Sequence, residues 1–307
     1  MVAEVGIGRV LREHTAQINA IDFSHDGELL ASSADDGRLC LYSCQHGSTS
    51  KTTNCSRHGC RLVRFTHDPY TVLVASAQED GEIRYLSLHD DRYLRYFKAH
   101  TKRVVSLELS PKEDLFASAA LDDTARIWDL RSTDCTAVMR FASEGEQPAV
   151  AFDPQGVVLA AACAGQTKLF DLRAYASGPF LTFPSEPHAP KSFSCIKFSS
   201  DGKMMLQCTA PHAPQPKVLL LDAFKGNLLQ TFVGHDNSAG LPLEASFSAD
   251  SDYVLAGSED GSIWRWHTRT GLSLPVLKGH PGPVTAVKCS PTRMMMASAC
   301  SYLCLWL

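Results

Sequence analysis

The sequence lacks the features of membrane proteins and of proteins that wrap nucleic acid. No apolar run approaches the roughly 20 residues that a membrane-spanning helix needs, and the longest aliphatic stretch covers only residues 218–221. The formal net charge is -4, whereas chains that wrap nucleic acid usually carry a strongly basic balance. We therefore expect no membrane partner and no direct sequence-specific nucleic-acid partner.

Catalytic signatures are also missing. The chain contains no G-x-S-x-G elbow, no phosphate-cradling glycine loop and no H-E-x-x-H helix. Without a recognisable set of nucleophile, base and oxyanion donors, no reaction class can be assigned. The sequence therefore predicts a protein that is not an enzyme and that needs no cofactor.

The eleven cysteines are an odd number, and no charged-then-apolar leader precedes them. A secreted disulfide framework is therefore not expected, and we predict reduced intracellular thiols. Within residues 40–60 the gaps C-x3-C and C-x4-C differ from the close C-x2-C pairs of structural zinc sites. Because Cys40 alternates with Leu39 and Leu41, we favour core cysteines over a metal site. The potential ligands in this cluster are Cys40, Cys44, His46, Cys55, His58 and Cys60.

What the chain does contain is an internal repeat. Aromatic or leucine residues recur at intervals of 40 to 51 residues, each at the end of a short strand-like run. This spacing is typical of four-stranded propeller blades rather than of helical solenoids. The sequence therefore predicts an all-β, seven-bladed β-propeller that forms a single domain over residues 1–307. The seven repeat positions are Tyr42, Leu86, Trp128, Phe170, Leu221, Trp266 and Trp306.

The clearest repeat covers residues 100–129 and resembles the WD-repeat family. In that family a His, a Ser, an Asp and a Trp form a buried hydrogen-bonded chain, and His100, Ser118, Asp122 and Trp128 match these positions. Such a buried network specifies the geometry of a blade more than it adds net stability. We therefore predict a structural role for these four residues.

The other repeats retain only parts of this set. Repeat four has Ala164 in place of the turn aspartate. Degenerate repeats are tolerated because each repeat packs mainly on its neighbours. The retained residues are His14, Ser32 and Asp36 in repeat one, where Tyr42 replaces Trp, and His235, Asp260 and Trp266 in repeat six.

The last repeat ends at Trp306, which leaves no downstream sequence for its outer strand. Residues 5–11 precede His14 in the same way that residues 274–279 precede His280. We therefore predict that this N-terminal segment supplies the outer strand of the last blade. Both chain ends would then meet in one blade and close the ring.

Repeat five contains two proline-rich stretches, residues 184–190 and 211–216. Proline lacks the amide donor of a sheet ladder, so neither stretch can be a central strand. We predict two loops on the propeller face that carries His100 and Asp122, and we favour plain solvent-exposed insertions over recognition elements.

The densest cationic stretch covers residues 92–103, with only Asp90 and Asp91 as nearby acids in the sequence. Clustered cations can bind a phosphorylated peptide through charge-assisted hydrogen bonds. The alternative is a solvated outer strand whose charges discourage edge pairing. The candidate partner-binding or phosphopeptide-binding residues are Lys98, Lys102 and Arg103.

A narrower resemblance rests on residues 84–105, 221–226, 243–251 and 298–307. These segments resemble the WD-repeat subunit of COMPASS-type histone lysine methyltransferase complexes, a family shared with nuclear protein phosphatase 1 and transcription termination complexes. The resemblance implies a nuclear, non-catalytic adaptor, monomeric within a hetero-complex. Its implied partners are a SET-domain methyltransferase subunit, a phosphatase 1 targeting subunit and the phosphorylated C-terminal repeats of RNA polymerase II.

One alternative function remains open from the sequence. The segments WDLR at residues 128–131 and FDLR at 170–173 resemble the WDxR box of substrate receptors in cullin-RING ubiquitin ligases. The box is short, and the Trp-Asp pair is already required by the blade, so chance matches are frequent.

Overall fold

The computed structural model describes residues 5–142, 145–183, 192–209 and 216–307, which form seven antiparallel four-stranded sheets. Each of six sheets is built from four consecutive strands, and the seventh combines the first strand with the last three. The innermost strands of successive sheets contact one another in a closed cycle. The predicted seven-bladed β-propeller is therefore confirmed.

Each blade runs from an innermost strand at the central channel to an outermost strand at the rim. Blades one to three consist of β2 (Ile18–Phe23), β3 (Leu29–Ala34), β4 (Arg38–Ser43) and β5 (Ser48–Asn54); β6 (Leu62–Phe65), β7 (Thr71–Ala75), β8 (Ile83–Ser87) and β9 (Arg92–Phe97); and β10 (Val104–Leu109), β11 (Leu115–Ala120), β12 (Thr124–Asp129) and β13 (Cys135–Arg140).

Blades four to seven follow in the same order. They consist of β14 (Ala149–Phe152), β15 (Val158–Cys163), β16 (Gln166–Asp171) and β17 (Leu181–Phe183); β18 (Phe193–Phe198), β19 (Met204–Thr209), β20 (Val218–Asp222) and β21 (Leu228–Phe232); β22 (Ala245–Phe247), β23 (Tyr253–Gly257), β24 (Ser262–His267) and β25 (Leu277–Lys278); and β26 (Ala286–Cys289), β27 (Met296–Ala299), β28 (Leu303–Trp306) and β1 (Ile7–Leu11).

The ring closes through the N-terminal strand, as predicted. β1 pairs with β28 in antiparallel register, with Leu11 opposite Leu303. Two further backbone hydrogen bonds of 3.0 Å join Gly6 and Leu307 in both directions. The outer strand of blade seven thus comes from the opposite end of the chain. The backbone hydrogen bonds between β1 and β28 join the first and last repeats.

All seven repeat positions lie at or next to the end of the third strand of a blade, and all are buried. Each packs into one of seven hydrophobic clusters, most of which join residues of neighbouring blades. Between blades two and three, for example, the ring centroids of Phe97 and Phe116 are 4.8 Å apart, and those of Phe97 and Trp128 are 5.6 Å apart. Edge-on contacts of this kind stabilise a core beyond the area that they bury. The core of the molecule therefore lies mainly between the blades.

In blade four the turn between β15 and β16 is formed by Ala164 and Gly165, with φ angles of 54° and 72°. Two successive positive φ angles are the geometry of a tight two-residue hairpin, which replaces the aspartate-containing turn of blades one, three and six. The proline-rich stretches 184–190 and 211–216 lie outside the described residues, except for Pro216. In the described part of the chain, no helix is long and apolar enough to cross a membrane.

Candidate functional site

Blade three contains a hydrogen-bonded chain from the second and third strands to the loop before the first. The Trp128 indole N–H donates to Ser118 Oγ at 2.8 Å, and Ser118 Oγ lies 2.7 Å from His100 Nε2. Because the indole N–H occupies an acceptor site of the hydroxyl, Ser118 O–H is free to donate to Nε2. His100 Nδ1–H then donates to Asp122, 3.0 Å away.

The carboxylate of Asp122 also accepts hydrogen bonds from the Thr101 and Thr124 amides, at 3.0 and 3.1 Å. Burial alone would raise its pKa, but the hydrogen bonds from His100 and Thr124 outweigh burial and hold the pKa well below its usual range. Every polar group in this chain is therefore paired, and the four residues fix the loop geometry of the blade.

Blade seven has a variant of the same chain. His280 Nε2 lies 2.6 Å from Ser298 Oγ, and the Trp306 indole N–H donates to the same hydroxyl at 2.7 Å. Cys300 takes the place of the aspartate, with its Sγ 3.0 Å from His280 Nδ1. Without a carboxylate beside it, burial lowers the pKa of His280 to about 4.

Blade six retains His235, Asp260 and Trp266, but it does not form the hydrogen-bonded chain. The position opposite Trp264, equivalent to Ser118 in blade three, is Ala256. Ala256 offers no hydroxyl to Nε2 of His235. The Nδ1 of this buried histidine also has no hydrogen-bond partner within the described part of the chain, and burial lowers its pKa to about 4. Asp260 instead accepts hydrogen bonds from Ser262. His235, Asp260 and Trp266 alone do not form the chain, because the serine that would link the histidine to the tryptophan is absent.

The basic stretch forms β9 and the connection that leads to β10. The acids that face it come from the preceding hairpin of blade two, and not only from Asp90 and Asp91 as the sequence suggested. Lys98 pairs with Glu82, which also pairs with the buried Arg84. Further along this connection, after Lys102, Arg103 has its Nη1 3.5 Å from the Glu79 carboxylate. Much of the positive charge of this stretch is therefore neutralised within the blade.

The three candidate partner-binding residues, Lys98, Lys102 and Arg103, all lie in this connection, on the face where the inner strands begin. Lys98 and Lys102 are exposed and Arg103 is partly buried. Only Arg103 lines the mouth of the central channel. These residues are close in the chain but differ in their surroundings, and nothing in the fold assigns them a ligand by itself.

The central channel contains a network of buried charges that the sequence pattern did not reveal. Glu108 pairs with Arg64 from blade two, at 3.3 Å, and with Lys197 from blade five. Both cations also reach Glu244, each at 3.5 Å. Burial would raise the pKa of Glu108, but the charges of Lys197 and Arg64 lower it to about 2. Asp22 and Lys288 form a separate pair between blades one and seven.

This network separates two cavities. The larger, of about 540 Å³, opens where the inner strands begin and includes Arg64, Glu108, Lys197 and Glu244 in its lining. The smaller, of about 300 Å³, lies at the opposite mouth and shares Lys197 with the first. The sequence did contain a signal for this network, because the second-to-last residue of the innermost strand is charged in five of the seven blades. These residues are Asp22, Arg64, Glu108, Lys197 and Lys288.

The WDLR and FDLR segments end on exposed arginines of the opposite face. Arg131 and Arg173 are each paired with the aspartate two residues earlier, at 2.7 and 2.8 Å, and both side chains are 75% exposed. Trp128 and Phe170, in contrast, are buried. The arginines are accessible, and the aromatic halves of both boxes serve the blade core.

The cysteine and histidine cluster of residues 40–60 is spread over blades one and two. Cys40 lies in β4 and faces Thr52, while His46 pairs with Ser43 in an exposed turn. Among the described residues, no group of three potential ligands converges on a point that could hold a metal ion. The four cysteines of the cluster are buried and carry free thiols.

The closed ring, the four-stranded blades and the His-Ser-Asp-Trp chain define a WD-repeat β-propeller. The family model described as "WD domain, G-beta repeat" matches residues 7–43, 91–129, 226–267 and 271–306. The chain is also 44% identical over 309 residues to "WD repeat-containing protein 82" of Drosophila melanogaster, covering 100% of this chain and 95% of that protein. The chain therefore belongs to the WD repeat-containing protein 82 family.

Two fungal relatives have names that refer to a complex. The chain is 35% identical over 219 residues to "Set1 complex component swd2" of Schizosaccharomyces pombe, with coverage of 69% of this chain and 58% of that protein. It is 27% identical over 270 residues to "COMPASS component SWD2" of Saccharomyces cerevisiae, with coverage of 85% and 79%. The narrower resemblance seen in the sequence is thereby confirmed at the level of the family.

Proposed function

We propose that this protein is a non-catalytic, nuclear scaffold subunit of a COMPASS-type histone lysine methyltransferase complex. The observation that carries the proposal is the similarity to two fungal relatives named for the Set1 and COMPASS complexes, which covers 69% and 85% of this chain. The propeller supports it physically, because a ring closed by β1 presents loops on two faces of a rigid body. Such a body can hold several short peptides at once, so that weak contacts gain from effective concentration.

We further propose two finer aspects that the family resemblance implies. The same subunit serves nuclear protein phosphatase 1 assemblies through their targeting subunit. It also recruits its complexes to transcribing RNA polymerase II by binding the phosphorylated C-terminal repeats, with Lys98, Lys102 and Arg103 as the predicted contacts. Two features support a binding role on this face: the exposed cations of the β9–β10 connection and the adjoining cavity of about 540 Å³.

The experiment is affinity purification of the tagged protein from nuclear extract, followed by mass spectrometry. We expect a SET-domain methyltransferase subunit, a phosphatase 1 targeting subunit, or both. A variant with Arg131 and Arg173 changed to alanine serves as a matched control, because both residues lie on the other face and leave the blade cores intact. Recovery of only cullin-ligase components, lost in this variant, would overturn the proposal in favour of a ubiquitin ligase receptor.

A further inference from the structure

Arg61 is a half-buried arginine whose side chain is unpaired within the described residues. It directly precedes β6 and lines the larger cavity at the mouth of the central channel. Among the described residues, its guanidinium makes neither an ion pair nor a side-chain hydrogen bond, although its backbone carbonyl accepts one from Ser33. A guanidinium carries five donors in a rigid fork, and removing them from water without a partner is costly. Burial and the nearby Arg103 lower the pKa of Arg61, whereas the carboxylates of Asp35 and Glu79 act in the opposite direction.

Arg103 lies at the same mouth, directly before β10, the inner strand of the next blade. Its only ion pair in the described part of the chain is the 3.5 Å contact with Glu79, an exposed side chain. Its Nε is buried and has no hydrogen-bond partner. Two adjacent blades therefore direct incompletely paired guanidinium groups towards one cavity.

The other two cations of this cavity already form ion pairs, although the buried Nε of Arg64 has no hydrogen-bond partner among the described residues. Arg64 and Lys197 are both paired with Glu108 and Glu244. This charge network forms a floor below the two arginines. An anion at this mouth would therefore find Arg61 and Arg103 as the cations outside the network, with the carboxylate of Asp35 in the same lining.

We propose that Arg61 and Arg103 form a binding site for the phosphate monoester of a phosphorylated peptide. The inference rests on the proposed binding of phosphorylated polymerase repeats and assigns the phosphate to a place. A guanidinium pair can donate several parallel, charge-assisted hydrogen bonds to phosphate oxygens, which a single lysine cannot. The cavity of about 540 Å³ has room for a phosphoserine side chain. Lys98 does not line this cavity and is paired with Glu82, so we place it outside the phosphate site, as a contact for other parts of the peptide.

The test uses the full-length protein and a fluorescein-labelled peptide of two RNA polymerase II heptad repeats, with and without phosphoserine. Fluorescence anisotropy gives the dissociation constants for wild type, Arg61→Gln, Arg61→Lys and Arg103→Gln. The matched control is Arg57→Gln, which removes the same charge from an exposed residue of the same region that does not line the cavity. Thermal melts of every variant verify that it is folded.

We expect phosphorylation-dependent binding by the wild type and a loss of at least about tenfold in Arg61→Gln and in Arg103→Gln, which corresponds to about 1.4 kcal/mol. Arg61→Lys should retain part of the affinity, because it keeps the charge but not the fork. Arg57→Gln should change the affinity less than about twofold. The same pattern must appear in competition, with inorganic phosphate displacing the peptide from wild type at millimolar concentration.

Three outcomes would contradict the inference and can be told apart. Phosphopeptide binding that is unchanged in Arg61→Gln would overturn the site but keep the proposed function. Stabilisation of the wild type by inorganic phosphate without any peptide binding would indicate a site for free phosphate instead of a peptide. Absence of both, in a protein that still co-purifies with methyltransferase subunits, would overturn the phosphopeptide role and leave the scaffold role standing.

Discussion

Substitution of Ser118 by alanine tests whether the hydrogen-bonded chain fixes the blade. The hydroxyl accepts from the Trp128 indole at 2.8 Å and bonds to His100 Nε2 at 2.7 Å, and Trp128 is 0% exposed. The variant therefore leaves two buried polar groups without a partner. Each unsatisfied buried group costs about 1–3 kcal/mol, so the free energy of unfolding should fall by about 2–6 kcal/mol. This is a large part of the roughly 5–15 kcal/mol by which a domain is stable.

The assay is urea unfolding followed by tryptophan fluorescence and circular dichroism, with the midpoint compared between variants. Ser50→Ala is the matched control, because Ser50 is exposed in the outer strand β5. Blade six provides the reverse experiment, since Ala256→Ser restores the missing hydroxyl beside His235 and should stabilise the protein by about 0.5–1.5 kcal/mol. A Ser118→Ala midpoint equal to that of the control would show that the chain does not hold the blade together.

Three further predictions concern stability. His235→Leu should flatten the pH profile, because the wild-type imidazole, with its pKa lowered to about 4, is neutral in the fold while the unfolded chain binds a proton. The stability that the neutral imidazole contributes is lost as pH falls from 6.5 towards 4, and the loss amounts to about 2 kcal/mol at pH 5. Urea midpoints at several pH values would detect this loss. Glu108→Gln should lower the free energy of unfolding by about 2–4 kcal/mol at pH 7. It should also remove the loss of stability that protonation of Glu108 causes between pH 4.5 and 2. The control, Glu13→Gln at an exposed residue, should do neither. Deleting residues 1–11 removes β1 and should lower the melting temperature by at least about 10 °C, because each kcal/mol of lost stability shifts that temperature by about 2–4 °C. An unchanged melting curve would contradict ring closure by this strand.

The blade number and the ring closure could be predicted from the sequence because they depend on local and periodic signals. Trp128 and its six equivalents each lie at or next to the end of a third strand, and the repeat length alone indicates four strands per blade. The missing outer strand of the last repeat pointed to residues 5–11, of which residues 7–11 form β1. These features need no knowledge of which blades contact each other.

The central site could not be predicted in the same way, because it depends on contacts between distant blades. Glu108 and Lys197 are 89 positions apart in the chain, and Asp22 and Lys288 are 266 apart. The position of Lys98 next to Glu82 is a contact between the ends of the third and outer strands of one blade, so counting the adjacent acids in the sequence missed it. The incomplete chain of blade six was visible as Ala256, but only after the strands were aligned by register.

Recruitment of a methyltransferase complex to transcribed chromatin is the main function proposed for this propeller. The most direct measurement is chromatin occupancy of the SET-domain methyltransferase after acute depletion of the protein, with re-expression of the wild type and of Arg61→Gln. We predict that occupancy at transcribed genes falls on depletion, returns with the wild type and returns only in part with the variant. Occupancy that does not change on depletion would contradict the proposed recruitment.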